Sequence, residues 1–470
     1  MQVTADRGRI VSARTMPRTV LLAWEGMTVD KPIARVLNLI DDREQRLWTL
    51  TPDQARRRLL DGPEAVLGID GSFALAARRG VDVVMARSLD RPMRYFLAKE
   101  SSGPMLVIAQ RIDEIRDCLA AEGYLDQFHP TYTRMVPAHH ATTLRLVGCP
   151  DPNPTHERFF DPPRGTLPPD LDLIGERYVE ALMFELRGWL DALPAGAARE
   201  PLGVCFSGGI DSGAVLLALN RALLESGRSA ARLKAFTLRV GAGAGDAEQA
   251  REFLRRMDLE ILGEEIEADA AAVDPLAAIE VIEDYKPLDV ECAAVGLALL
   301  RGIRARYPDW RLLVDGDGGD ENLKDYPLEE NHELTITSVV NNSMLYQEGW
   351  GVDAVKHSQT YSGGLGRATV RTHAPARLLG FEGFSPFARP AVVAVAEAIP
   401  FATLVGGSHE ALYELKGEVV RRGMKRVLGV DFPVFPKRRF QEGAASEDVF
   451  EAAFDRPPEQ YRRHFQSLYA

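Results

Sequence analysis

Cysteine is scarce in this chain. Cys118, Cys149, Cys205 and Cys292 are the only four in 470 residues, and no two share a C-x-x-C spacing. That pattern argues against a zinc or iron–sulfur centre and against a disulfide framework, and it predicts four reduced thiols. Cys205 falls inside an apolar run, which predicts a strand position. Long apolar runs are absent too: no stretch of eighteen residues reads as a membrane span. The opening MQVTADRGRIVSARTMPRTV carries basic residues but lacks the apolar core of a secretory signal. Positive charge is not in excess either, since the net charge is −12. A dedicated nucleic-acid binder would lean the other way. These absences predict a cytoplasmic protein that engages neither nucleic acid nor membrane. No short-period repeat or long low-complexity tract interrupts the sequence.

What is present reads as a soluble globular chain of two or three domains, with 46% hydrophobic and 26% charged residues. Residues 18–148 carry short apolar runs such as TVLLAW, AVLGI, SFALAA, VDVVMA and PMLVIA, separated by turn residues. These have strand length and predict a mostly β N-terminal domain over 1–150. The stretch CPDPNPTHERFFDPPRGTLPPD, dense in proline, breaks the composition and predicts a linker over 151–170. Beyond it the rhythm changes. Helical periodicity spans 171–196. Strands are predicted at 202–206, 233–240, 259–266 and 311–316, with helices at 211–226, about 246–257 and about 272–306. Residues 390–430 read as largely helical. Strand and helix in alternation predict an α/β domain over 171–470, built on a parallel sheet with helices on both faces.

Two loops in that domain carry chemistry. VCFSGGIDSGAV at 204–215 is a strand, a glycine-rich turn and a helix start. Such a turn is an anion cradle: backbone N–H groups point at the ligand and the helix dipole favours negative charge. Gly208 and Gly209 allow close approach to phosphate oxygens, and Ser207 and Ser212 add hydroxyl donors. A carboxylate there, Asp211, makes sense if it holds Mg²⁺ bridging those oxygens. The turn is not a GxxxxGK[ST] loop, because no lysine follows. LLVDGDGGDE at 312–321 repeats the design, with Asp315, Asp317, Asp320 and Glu321 within seven positions. Like charges so dense repel unless a cation is present or the loop is solvated. In a parallel sheet both loops would lie beyond the carboxyl ends of strands, where ligands gather. Asp211 and Asp320 would then share one magnesium. The spacing does not fit an EF-hand.

SGGIDS followed by DGDGGDE resembles the synthetase domain of the asparagine synthetases, within the wider ATP-pyrophosphatase (PP-loop) group. GFEGFSPF at 380–387 and VFPKRRFQEG at 434–443 are similar to later elements of that family. IDGSFALAA, VVMARSLDRPMRYF and LVIAQRIDEI, between residues 69 and 115, are similar to its glutaminase domain. The resemblance implies an N-terminal β-rich, glutaminase-like (Ntn-type) sandwich before the PP-loop synthetase domain. It implies an ATP- and Mg²⁺-dependent ligase: ATP adenylates a carboxylate with release of pyrophosphate, and an amine then attacks. By position, Ser207, Gly208, Gly209, Asp211 and Ser212 would hold the pyrophosphate and its metal, Gly316 would lie near the nucleotide, and Asp320 would be the second metal ligand. Asp317 would contact substrate or steer the amine. Lys437 would neutralise charge on the phosphates and the acyl-adenylate. The family often dimerises, so a homodimer is an expectation of the resemblance alone.

The sequence also departs from the family. The amidotransferase branch uses an N-terminal cysteine, whereas residue 2 here is Gln2 and the first cysteine is Cys118. The chain is in this respect similar to β-lactam synthetases and lasso-peptide cyclases, and a degenerate glutaminase-like domain without glutaminase chemistry follows. After GDGGDE the sequence reads NLKDYP, and residues 327–365 do not match the family pattern. That stretch is expected to border the pocket for a small-molecule or peptide carboxylate and its amine donor. Glu330, Tyr346 and His357 are its polar candidates for amine deprotonation. Three other readings stand beside the ligase: an ammonia-dependent asparagine synthetase, a catalytically decayed binding protein, and a sulfur-transfer or RNA-modifying enzyme. The last lacks the cysteine pair and basic surface it would need.

Overall fold

In the computed structural model, the structure describes residues 19–20, 35–101, 103–147, 153–241, 245–325, 335–341, 372–435, 443–444 and 447–470. The first third supplies strands β1 (Thr19–Val20), β2 (Arg35–Asn38), β3 (Arg46–Leu47), β4 (Gly71–Ser72), β5 (Ala74–Arg79), β6 (Asp82–Arg87), β7 (Arg94–Glu100), β8 (Gly103–Ala109), β9 (Arg134–Met135), β10 (His140–Arg145) and β11 (Thr155–Arg158). One sheet has the order β1-β2-β8-β7-β9, a second the order β11-β10-β6-β5, and β3 pairs with β4. The period of two that makes these runs strands also gives each sheet two apolar faces. Val36, Tyr95, Leu106 and Ile108 of the first sheet meet Ala76, Val83, Met85 and Leu144 of the second. The helix Ile112–Glu122 covers the first sheet's outer face through Ile115 and Leu119. The helix Pro52–Leu60 covers the second through Ala55 and Leu59. The order is helix, sheet, sheet, helix.

The downstream half is organised by one parallel sheet, β12 (Leu202–Cys205), β13 (Leu233–Val240), β14 (Gly263–Ala268), β15 (Leu312–Val314) and β16 (Glu382–Phe384), in the order β14-β13-β12-β15-β16. Its pairings are all parallel, with Val204 opposite Ala235 on one side and Val314 on the other. Both faces are apolar, as buried parallel strands require. Val204, Ala235 and Val314 face one core with the helices Leu171–Ala192, Ile210–Glu225 and His409–Leu428. Phe236, Leu238 and Leu313 face another with Pro275–Ile282 and Pro287–Arg306. Among the described residues no helix is long and apolar enough to cross a membrane.

Four details differ from the sequence expectation. The stretch read as a linker supplies β11, which pairs His140 with Arg158, so the N-terminal sheets extend past residue 150. The strand expected at 259–266 begins at Gly263, because Glu260–Leu262 form a 3₁₀ turn. AVLGI, read as a strand-length run, lies in the helix Pro63–Leu67 and the turn after it. The helices expected over about 272–306 are Pro275–Ile282 and Pro287–Arg306, with a break at Glu283–Lys286, where Pro287 opposes helix in the residue before it and Glu283 takes φ 53°. The fifth strand, β16, lies in a segment read only as a motif.

That break is used. The Glu283 side chain is 2% exposed and reaches the upstream half. Its Oε2 and Oε1 accept the amides of Ile112 and Asp113 at 2.8 and 2.9 Å, at the start of the helix Ile112–Glu122. The Tyr469 hydroxyl donates to it at 2.9 Å, and Arg111 lies 3.5 Å away. A buried carboxylate at a helix N-terminus is favoured by dipole and hydrogen bonds together. Removing it strands the donors, so Glu283→Ala should cost about 3–5 kcal/mol in equilibrium unfolding; a loss below about 1 kcal/mol would show that the clamp is dispensable.

Two adjacent histidines set an acid limit. Burial pushes His139 down to about 3 and His140 down to about 4. Both stay neutral in the folded chain but take up protons near pH 6.5 once unfolded. Their contribution is therefore complete above pH 6.5 and is lost as pH falls toward 4. Between pH 6.5 and 5 each should remove about 2 kcal/mol of unfolding free energy. His139→Gln should flatten that slope, and an unchanged slope would contradict the assignment.

Candidate active site

The first glycine-rich turn follows β12, and the helix Ile210–Glu225 starts from it with Gly209 as N-cap and no side-chain cap. Its leading amides are thus left for a ligand. Ser207 and Ser212 close the turn: their hydroxyls lie 3.3 Å apart, the Ser207 amide donates to Ser212 Oγ at 3.3 Å, and the Gly209 amide donates to Ser207 Oγ at 3.3 Å. Gly208 has φ +74°, and a Cβ there would stand 2.6 Å from the Ala250 amide nitrogen, so no other residue fits.

The second loop follows β15, the strand beside β12. Asp315, 3% exposed, folds it by accepting the Asp317 amide at 3.1 Å. Burial, with Asp317 close by, raises the Asp315 carboxyl well above its usual range. The chain then turns into the short helix Gly319–Leu323, which starts with Asp320 and Glu321. The two loops touch: a Cβ on Gly316 would stand 2.9 Å from the Ser212 amide nitrogen. From β12 the chain proceeds to β13 on one side, while β15 lies on the other, so the loops occupy the point where strand order reverses. Open α/β sheets bind ligands at that point.

A third element completes the site. The helix His409–Leu428 places Lys416, 3% exposed, between the loops. Its Nζ donates to Asp211 Oδ2 at 2.6 Å and to Asp320 Oδ1, and lies 3.5 Å from Asp325 Oδ2. Burial alone would lower the Lys416 amine, but Asp211, Asp320 and Asp325 outweigh it and hold it well above the usual lysine range. Burial pushes Asp211 up to about 7, opposed by Lys416 and reinforced by Asp320. Nothing in the sequence singled out Lys416, one of several basic residues on a helix.

Three carboxylates around one ammonium leave about two negative charges, which a divalent cation would balance. Asp211 Oδ1 is buried and has no hydrogen-bond partner. These hard oxygens fit Mg²⁺. No group of three or more His, Cys, Asp and Glu among the described residues is set to hold a metal. Asp211 and Asp320 would therefore supply two of the oxygens around such an ion, which keeps water for others, as Mg²⁺ prefers.

Of the residues singled out in the sequence, Ser207, Gly208, Gly209, Asp211, Ser212, Gly316, Asp317 and Asp320 lie on these two loops at the carboxyl ends of neighbouring strands. Cys205 ends β12 and is half-buried. Lys437, Glu330, Tyr346, His357, Gln2 and Cys149 lie outside the described residues.

Removing the central cation tests the site. Lys416→Met should cost about 3–5 kcal/mol of unfolding free energy in EDTA, because it leaves buried carboxylates facing one another. Millimolar Mg²⁺ should narrow the gap to wild type. Equal stability of the two proteins in EDTA would mean that the carboxylates do not depend on Lys416.

Compared with known protein families, residues 196–360 match asparagine synthase. The matched segment contains β12 to β15 and both loops. No curated protein matches the chain.

Proposed function

We propose, on the match of residues 196–360 to asparagine synthase, that the chain is an ATP-dependent amide-forming ligase that adenylates a substrate carboxylate and joins it to an amine without glutaminase activity of its own. The observation that carries the reading is the meeting of two glycine- and aspartate-bearing loops at the strand-order reversal, with Asp211 and Asp320 held on one ammonium.

In this reading the open helix start at Gly209, with Ser207 and Ser212, binds the phosphates that leave as pyrophosphate. Gly316 passes beside the nucleotide. Asp211 and Asp320 hold the Mg²⁺, which would withdraw charge from the phosphates when bound. Lys416 fixes those carboxylates side by side, so little reorganisation remains when the ion and ATP arrive. The substrate carboxylate attacks the α-phosphorus, an acyl–O–P bond forms, and pyrophosphate departs. The amine then attacks the acyl carbon, AMP departs, and the amine gives up a proton. Asp317, on the same loop, contacts the substrate or steers the amine. Lys437 neutralises charge building on the phosphates and the acyl-adenylate, a contribution of several kcal/mol for a preorganised cation.

The absence of glutaminase chemistry rests on the upstream half. Its helix–sheet–sheet–helix order supports glutaminase-like ancestry. Cys118, the first cysteine, sits on the outer helix Ile112–Glu122 and packs against that sheet's outer face, away from the core between the sheets. The amine thus comes from the substrate, from a second metabolite or as free ammonia. The protein works as a cytoplasmic enzyme on small-molecule or peptide carboxylates.

The test is to incubate the protein with ATP, Mg²⁺ and a metabolite extract of its host, and to quantify AMP and pyrophosphate against ADP. The expected result is extract-dependent AMP with matching pyrophosphate, lost in Asp211→Ala. ADP and phosphate as the products would refute adenylation.

A further inference from the structure

The turn that follows β16 touches both halves of the molecule. On one side, Ser385 hydrogen-bonds the Asp315 carboxyl, and the Asp315 amide donates to the Phe384 carbonyl at 3.1 Å. The Phe387 carbonyl accepts the Asn322 side-chain amide at 2.9 Å. These contacts grip both ends of the loop that carries Gly316, Asp317 and Asp320. On the other side, Ala388 packs with Leu89 and Ala138 of the upstream half. Arg389, 2% exposed, then turns its guanidinium into that half. Nη1 donates to the Gly71 carbonyl at 2.7 Å and to Ser72 Oγ at 3.4 Å, and lies 3.7 Å from Asp90 Oδ1. Nε donates to Glu185 at 3.4 Å, and the group sits 5.0 Å over the Trp48 ring. Ser72 in turn donates to Asp90.

We infer that Arg389 is a positioning residue through which the upstream sheets set the geometry of the loop 315–325, so that the N-terminal half buttresses the nucleotide site. The inference rests on the proposed nucleotide site for its effect on ATP, and on contacts alone for its effect on the loop. A fully buried guanidinium with a backbone carbonyl, a hydroxyl, two carboxylates and an aromatic face around it has one orientation. The five-residue turn Ser385–Arg389 carries that orientation to Asp315 and Asn322. Without the arginine, the turn loses its anchor while its loop contacts remain, and Asp317 and Asp320 gain freedom.

The experiment compares full-length wild type with Arg389→Met, Arg389→Lys and Arg377→Met. Arg377 bridges the same two halves elsewhere, to Glu44 at 3.0 Å and Glu114 at 3.3 Å, and touches nothing in the loop 315–325. Two quantities are read: hydrogen exchange of the peptide 315–325, and calorimetric affinity for Mg²⁺·ATP. Arg389→Met should speed exchange in that peptide and weaken Mg²⁺·ATP binding, each by about tenfold, or about 1.4 kcal/mol. Arg389→Lys should recover part of both, and Arg377→Met should leave both at wild-type values. If Arg389→Met does not fold, Asp90→Asn takes its place with the same two readings. Wild-type exchange and affinity in the folded variant would overturn the inference. So would an equal effect of Arg377→Met, which would indicate general loosening of the interface. If wild type itself binds no Mg²⁺·ATP, the proposed function fails, and the exchange measurement still decides whether Arg389 sets the loop.

Discussion

One ammonium in contact with three carboxylates governs the downstream half. Lys416 joins the loop after β12, the loop after β15 and the helix His409–Leu428, segments about a hundred residues apart in sequence. Desolvating such charges is costly, and the cost is offset only while the geometry holds. The helix pairing that carries Lys416 is correspondingly tight. His409–Leu428 lies against Leu171–Ala192 with almost no space at Gly175, where a Cβ would stand 2.6 Å from the Gly423 amide nitrogen. Backbone contact at that point brings Lys416, two turns earlier on the helix, within reach of both loops. The long helix upstream of the first loop is therefore part of the site although it contributes no side chain to the charge cluster.

Topology explains why these two loops meet. A parallel sheet sends every strand's carboxyl end to one edge, and reversal of strand order between β12 and β15 leaves a crevice there. The chain fills it with residues that have little side chain or short polar ones, so backbone amides and carboxylates can approach the same point. Bulk is excluded by contact: the Gly316 backbone is already against Ser212. Neighbouring strands and small residues produce a cradle whose donors are fixed before a ligand enters, which is the condition under which hydrogen bonds and dipoles are most effective.

Much of this was legible in the sequence. β13 falls where its apolar run was read, 233–240. The first loop's helix begins one residue before the expected 211. Both loops announce themselves, because glycine and aspartate rarely follow an apolar run together without a turn. Lys416 did not announce itself. It sits in ALYELKGEVVRRGMKRVL, among four other basic side chains, where a lysine reads as a solvated face. Its burial depends on a helix pairing that no local pattern encodes. β16 was missed because three residues are too few for a periodicity. Glu283 was missed because it lay inside a stretch read as helical, and its partners, the amides of Ile112 and Asp113, are about 170 residues upstream. What escaped reading is the set of long-range contacts between segments, and those contacts make the site.

The same set also holds the two halves together. Glu283, Arg389 and Arg377 each place a charge from the downstream half against partners in the upstream one, and the first two are 2% exposed. Arg389 illustrates the consequence. Its strongest partner upstream is the Gly71 carbonyl, a backbone atom that no side-chain substitution removes. Detaching the upstream sheets would take away that carbonyl and the Ser72 hydroxyl together with Asp90, Trp48 and Leu89, and would leave the guanidinium with Glu185. The turn Ser385–Arg389 would then lose the contacts that fix it, while it still holds Asp315 and Asn322. The upstream half thereby reaches the loop of Asp317 and Asp320 through one turn, by the polar contacts of Arg389 and the packing of Ala388, whatever chemistry it has or lacks.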